Sequence, residues 1–420
     1  MKVLIKQATI ISSPSPFHGQ VKDILISGGC IREIADNIAE TADQIITSSN
    51  LHVSIGWMDL FANFGDPGFE HKETLQSGAD AAAAGGFTDV MLLPNTSPSV
   101  SNKSAVEYIK QKASSLPITI HPIASVTKKA EGKELTEMYD MFNSGAIAFG
   151  DGINSIQSPG VLLKALQYVL PLEAVIIQVP EDKSLSEHGL MNEGIVSTQL
   201  GLPGKPAIAE EIMITRDIAL LKYTQSKLHI TGVSTKNGIE LIRIAKQEGL
   251  KLTCSVTPAH LWFCDKDLEN YDSNLKINPP LRTSEDRAAL QSALKEGLID
   301  CIASHHMPQH WDDKTCEFEY AQNGMTGLET VFGVANSFVK DIDFLVEKLT
   351  VAPRAIFGIA IPEIKLSSPA CLTLFDPLES YVFEEMHIQS ISKNNAFVGK
   401  KLTGKVIGII NKDKISINQS

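Results

Sequence analysis

Eight short apolar runs alternate with eight amphipathic stretches between residues 53 and 339, and few folds accommodate that rhythm. The runs cover residues 53–60, 89–94, 118–126, 146–151, 174–179, 227–234, 251–257 and 299–304. Helical periodicity marks residues 72–84, 104–114, 132–143, 159–169, 207–224, 237–247, 284–295 and 327–339. Runs that are apolar throughout belong to strands buried on both faces, as in a parallel sheet covered by helices. Eight such units fit a closed (β/α)8 TIM barrel better than an open sheet. The doubly wound alternative lacks a GxGxxG turn after an early strand. Local markers agree with the helices. Gly85-Gly86 ends an alanine-rich stretch, Ser284-Glu285-Asp286 is read as a helix start, and Pro353 suits the first turn of a short helix closed by Gly358.

The ends of the chain have a different texture. Residues 2–6, 21–26 and 30–34 read as short strands with a turn at Ser27-Gly28-Gly29, and strand character returns at 370–376 and 403–410. The expected architecture is α/β. Residues 1–51 plus 360–420 form a small β-sandwich domain from both termini, and 52–359 form the barrel. A net charge of −12 argues against nucleic acid or an anionic membrane as partner. No apolar run reaches spanning length, and the six scattered cysteines contain no CxxC pair, so a cytoplasmic protein with reduced thiols is expected.

In a barrel of this kind the chemistry sits at the C-terminal ends of the strands. Read in turn, those ends offer Asp59 to Gly65, Asn95, Thr127, Asp151, Glu181-Asp182, Ser234, His260 with Asn278, and His305-His306 with His310. The first loop has the position of an active site but few reactive side chains.

Several motifs along the chain resemble one family. They are Pro94-Asn95-Thr96, Met191-Asn192-Glu193-Gly194, Gly201-Leu202-Pro203-Gly204 with Ala209-Glu210-Glu211, and Val233-Ser234-Thr235. Asn278-Pro279-Pro280-Leu281-Arg282, Gly327-Leu328-Glu329-Thr330 and Ser392-Lys393-Asn394 complete the set. In this order they resemble the type I dihydroorotases of the amidohydrolase superfamily. The resemblance implies a metallo-dependent hydrolase barrel and, in active members, zinc-dependent interconversion of dihydroorotate and carbamoyl aspartate in pyrimidine biosynthesis.

Carried over position by position, it also implies a loss. Phe61 and Asn63 stand where the first-strand histidines would be, and Gly65 where an arginine would bind the substrate carboxylate. Val179 and Gly232 replace the histidines of strands five and six. His305 replaces the catalytic aspartate, and Gln309 a loop histidine. Asp151 is the one ligand retained; Asn95 and Asn278 match substrate-contacting asparagines. Phenylalanine, valine and glycine side chains offer no donor to a metal, and zinc catalysis needs three protein ligands and an open position. A pseudoenzyme without metal is therefore expected. The resemblance implies that such a member serves as a non-catalytic partner of aspartate transcarbamoylase, and a homo-oligomer is expected. The alternatives are an active cyclic amidohydrolase with a reduced or different metal site built on Asp151 and His305, or a small-molecule binder that keeps Asn95 and Asn278; a remnant mononuclear site would draw on Asn63, Asp151 and His305.

Plainer readings stand beside these. Asp151 is equally an acid satisfied by backbone donors. His305, His306 and His310 read as a solvated loop with one packed ring, and Glu181-Asp182 as a charged loop. Phe61 and Phe64 are expected to fill space left by metal and ligands.

Overall fold

The computed structural model describes residues 1–418. Its central sheet holds eight parallel strands in chain order: Trp57–Ala62, Phe87–Leu92, Thr119–Ala124, Ala148–Phe149, Val175–Gln178, Leu228–Thr231, Leu252–Val256 and Cys301–Ile302. The first and last strands close the barrel. Ala62 pairs with His306, and the Asn63 amide donates to the His306 carbonyl at 2.9 Å. The Asp59 carboxylate completes the seam by accepting from the Ser304 amide and hydroxyl at 2.6 and 2.8 Å. Burial raises the Asp59 pKa, and the Ser304 bonds oppose that rise.

Two apolar layers hold the barrel. Met58, Leu60, Met91, Ile123, Val175 and Cys301 pack inside it. A larger cluster lies between the strands and the helices around them. The helices follow the sequence periodicity with two informative departures. Residues 132–143 are helical only from Met138 to Asn143. The segment before it folds back, with the Thr136 amide bonded to the Val126 carbonyl and Gly132 at φ 73°. The helix Ser284–Lys295 is capped one residue earlier than expected. Thr283 and Asp286 form a reciprocal capping box, so Ser284 lies inside the helix.

The apolar run at 53–60 is two strands. His52–Ile55 belongs to a second sheet built from both ends of the chain, and Trp57–Ala62 to the barrel. Gly56 separates them because the Thr88 side chain occupies the space a Cβ would need. His52–Ile55 runs parallel to Lys2–Ile11 and antiparallel to Cys371–Val382. One four-residue strand thus joins the N-terminal and C-terminal parts of this curled sheet. Trp57, fully buried at the junction, packs against Phe87, Phe332 and Phe375 and donates from Nε1 to Ser54 Oγ at 2.9 Å.

Candidate functional site

The loop after the first strand folds back on itself. Asn63 Oδ1 accepts from the Gly65 amide at 2.9 Å, which commits its side chain to a local turn. Gly65 sits at φ 64°, and a Cβ there would lie 2.7 Å from the Phe69 carbonyl oxygen. An arginine at this position is incompatible with the loop as it is built. The two phenylalanines part company. Phe61 lies inside the barrel, whereas Phe64 packs outward against Gly78 of the helix Leu75–Ala84. Only Phe61 fills the mouth.

His305 provides the other half of that filling. Its ring stacks on Phe61, with centroids 4.3 Å apart and planes 26° from parallel. The backbone at His305 is left-handed, φ 46°, which a residue with a Cβ adopts only where its surroundings impose it. The ring lies beside Gly232. A Cβ on Gly232 would come 2.7 Å from His305 Cε1 and 3.2 Å from Pro279 Cδ. Val179 lies in the same interior cluster as Phe61. Apolar groups and one imidazole thus occupy the ends of strands one, five, six and eight.

Below His305 runs a polar thread absent from the sequence reading. His229 and Thr231 pair with Thr253 and Ser255 on the next strand. Thr253 Oγ1 lies 2.9 Å from His229 Nδ1, and His229 Nε2 lies 3.1 Å from Ser255 Oγ. Ser255 donates to Thr231 Oγ1 at 2.8 Å, and Thr231 lies 2.8 Å from His305 Nε2. One proton arrangement satisfies every member: Thr253 donates to His229, His229 to Ser255, Ser255 to Thr231, and Thr231 to His305. Both imidazoles are then neutral. Desolvation agrees, pushing His229 and His305 each down to about 3. The alternation Leu-His-Ile-Thr beside Leu-Thr-Cys-Ser carried this signal, since residues two apart share a strand face.

The pKa of His229 makes a prediction. A histidine held at about 3 when folded and near 6.5 when unfolded stabilises the protein fully above pH 6.5, and loses that contribution as pH falls toward 3. Replacing His229 with Asn removes about 1.4 kcal/mol per pH unit from the acid limb. Urea unfolding at pH 7 and pH 5 should show the variant losing about 2 kcal/mol less than the parent over that interval. Equal losses would contradict a buried neutral His229.

Asp151 is engaged on both oxygens. The Thr127 amide donates to Oδ1 at 2.9 Å and the Thr127 hydroxyl to Oδ2 at 2.5 Å. Burial raises its pKa, and the Thr127 bonds oppose the rise. Asn95 braces the same loop, donating to the Asp151 carbonyl at 3.1 Å and accepting from the Ile153 amide at 3.0 Å. Its carboxamide fills the space that a side chain on Gly152 would take.

Asn278 is held elsewhere. It donates to Glu181 Oε2 at 2.8 Å and accepts from Lys205 Nζ at 2.9 Å, while Lys205 pairs with Glu181 at 2.7 Å. Glu181 is therefore no ordinary loop charge. Burial would raise its pKa, but Lys205, Asn278 and Ser186 outweigh burial and keep it low. Beside this triad Glu210 accepts from Ser234 and from the amide and hydroxyl of Thr235, both at 3.0 Å. Arg282 donates to Ser234 Oγ, Asn192 Oδ1 and the Lys205 carbonyl, and lies 3.9 Å from Glu210. The cleft among these groups has a volume of about 10 Å³, room for about one water molecule.

The three loop histidines go three ways. His305 enters the barrel, His306 is fully buried, and His310 stays near the surface with its ring accepting from the Asp312 amide. The Gly327 amide donates to His306 Nδ1 at 3.2 Å, which leaves the proton on Nε2, 3.4 Å from Glu73. Glu73 also accepts from Ser77 and Ser390. Burial raises Glu73, and His306 with these hydroxyls brings it back below the usual range. Two of the three rings are packed, not one.

Comparison with known proteins fits this barrel. A family model described as Dihydro-orotase-like matches residues 52–238. A dihydroorotase from Thermoanaerobacter sp. (strain X514) is 40% identical over 97% of this chain and 95% of its own length. One from Syntrophus aciditrophicus (strain SB) is 36% identical over 97% of each. The chain belongs to the dihydroorotase family. Among solved structures, an L-hydantoinase from Arthrobacter aurescens superposes with a TM-score of 0.85 at 22% identity, covering 100% of this chain and 97% of the other. That likeness is one of fold.

Zinc, expected for the dihydroorotase resemblance, does not fit the groups at this mouth. Asn63, Asp151 and His305 have their oxygen or nitrogen donors committed to Gly65, Thr127 and Thr231. Phe61, Val179 and Gly232 supply none. Among the described residues no three His, Cys, Asp or Glu side chains converge as a metal set. The dihydroorotase motifs that persist have another use here. Asn192, Glu210, Ser234 and Arg282 form one buried network, the half-buried Asn278 joins it through Lys205, and Asn394 holds the Gln309 amide at 3.1 Å. These residues hold loops in place.

Proposed function

We propose that this dihydroorotase-family chain is a non-catalytic component of pyrimidine biosynthesis, a structural partner of aspartate transcarbamoylase in the cytoplasm. The stacked Phe61 and His305 rings beside Gly232 carry this reading. Opening the ring amide of dihydroorotate requires an activated water, a polarised carbonyl and a group to hold the carboxylate. Asp151 is bound by Thr127, His305 is neutral and accepts from Thr231, and Gly65 has no side chain to hold an anion. Among the described residues, Asp151 and His305 are thus engaged and Gly65 supplies nothing for those tasks. The barrel and its loop network remain intact, which suits a protein kept for its surface. The partnership is tested by size-exclusion chromatography of the chain mixed with aspartate transcarbamoylase. Co-elution at fixed stoichiometry is expected, and separate elution at micromolar concentrations would contradict the partnership.

A further inference from the structure

A cavity of about 290 Å³ lies where the end of the strand Lys2–Ile11 meets the helix Ile342–Leu349. Its floor is apolar, made by Ile11 and Ile55 of the curled sheet and by Val346 and Val351. Its helix side is acidic. Asp341, Asp343 and Glu347 line it, and no lysine or arginine does. Lys348, the one lysine within the helix, is 8% exposed and lies over the Phe344 ring, 4.9 Å from its centre. The sheet side carries a second, independent feature. Ser12 forms part of the wall and is 4% exposed, yet its Oγ has no hydrogen-bond partner among the described residues. A buried hydroxyl left unpaired costs stability, so it marks a place where a partner is wanted. Beside it the Ser12 amide donates to His18 Nδ1 at 3.2 Å. That leaves the His18 proton on Nε2, 3.6 Å from Asp343 Oδ1.

We propose that this cavity binds a linear aliphatic polyamine, with its ammonium groups on the acids and its methylenes on the apolar floor. Three features match that class of ligand. First, Asp343 and Glu347 are four residues apart on one helix, so they share a face about 6 Å apart along the axis. A short methylene chain between two ammonium groups spans a similar distance. Asp341 extends the row. Its Oδ1 accepts from the Phe344 amide at 3.1 Å and caps the helix, which leaves Oδ2 for a ligand. Second, an ammonium group has three donors and no acceptor. The Ser12 hydroxyl supplies the acceptor on the far wall, and the carboxylates supply the opposite charge. Third, the alternatives fit less well. A bare divalent cation needs several oxygens converging on one point, and among the described residues no three His, Cys, Asp or Glu side chains do so. An anion would meet three carboxylates and no cation on the wall. The site is remote from the barrel mouth, and the proposal is independent of whether the barrel is catalytic.

Isothermal titration of the full chain with spermidine tests it. One spermidine per chain is expected, with a dissociation constant below about 1 mM at low ionic strength and weaker binding as salt is raised. Asp343→Asn and Glu347→Gln are each expected to weaken binding about tenfold, with unchanged melting curves because both side chains are exposed. Ser12→Ala is expected to weaken binding about fivefold and to leave the free chain at least as stable as the parent, since it removes an unpaired buried hydroxyl. Glu131→Gln, an exposed acid elsewhere, is expected to leave the affinity unchanged. No binding at millimolar spermidine, binding that survives Asp343→Asn with Glu347→Gln, or a Ser12→Ala chain that binds as the parent does would each overturn the proposal. So would magnesium bound as tightly as spermidine, or a lysine-rich peptide bound more tightly at the same acids.

Discussion

Gly232→His is expected to destabilise the protein by about 3 kcal/mol and to create no metal site. Two costs add. The backbone at Gly232 has φ 71°, where a side chain costs roughly 1–2 kcal/mol. The new Cβ would also meet His305 Cε1 at 2.7 Å, and overpacking of this kind costs roughly 1–3 kcal/mol. The second cost belongs to the pair. Trimming His305 to Ala in the same chain is expected to recover about 1 kcal/mol or more of the loss, read as a coupling energy in a double-mutant cycle by urea unfolding. The first cost should remain. Additive effects would mean that His305 does not occupy the space beside Gly232. A Gly232→His variant that gains stability on adding zinc would mean the mouth still accepts metal.

The second large effect lies in the network behind the mouth. Glu210→Ala is expected to cost about 3–5 kcal/mol, because it leaves the buried Arg282 charge without its carboxylate. Arg282 is 5% exposed, and burial lowers its pKa while Glu210 opposes that fall. The same substitution strands the donors of Ser234 and Thr235, which now end on Glu210. Glu210→Gln keeps the volume and part of the hydrogen bonding, so its loss should be smaller. Chemical denaturation of the two variants distinguishes the contributions. A loss under about 1 kcal/mol for Glu210→Ala would show that the network is not cooperative.

The motifs around Glu210 were legible as a family resemblance, but their use was not. Asn192, Ser234 and Arg282 are far apart in the chain and meet only because strands five, six and seven are neighbours. The eight barrel strands were readable because burial on both faces leaves an uninterrupted apolar run. The split at Gly56 was not, since the chain is equally apolar on both sides and only Thr88, across the fold, explains the break. The direction of His305 escaped for a related reason. A left-handed residue turns its side chain away from the strand's alternation, and nothing in His305-His306 announces that turn. The His229 thread was open to reading, because alternation places His229 and Thr231 on one face.

Phe61, Val179 and His305 fill the barrel mouth, and among the described residues no ligand set for a metal converges there. Elemental analysis and a dihydroorotase assay on one purified preparation test this most directly. Substoichiometric zinc, unchanged after incubation with excess zinc and dialysis, together with no turnover of dihydroorotate or carbamoyl aspartate, is the predicted result. Stoichiometric zinc with turnover that is lost on Asp151→Ala would contradict it.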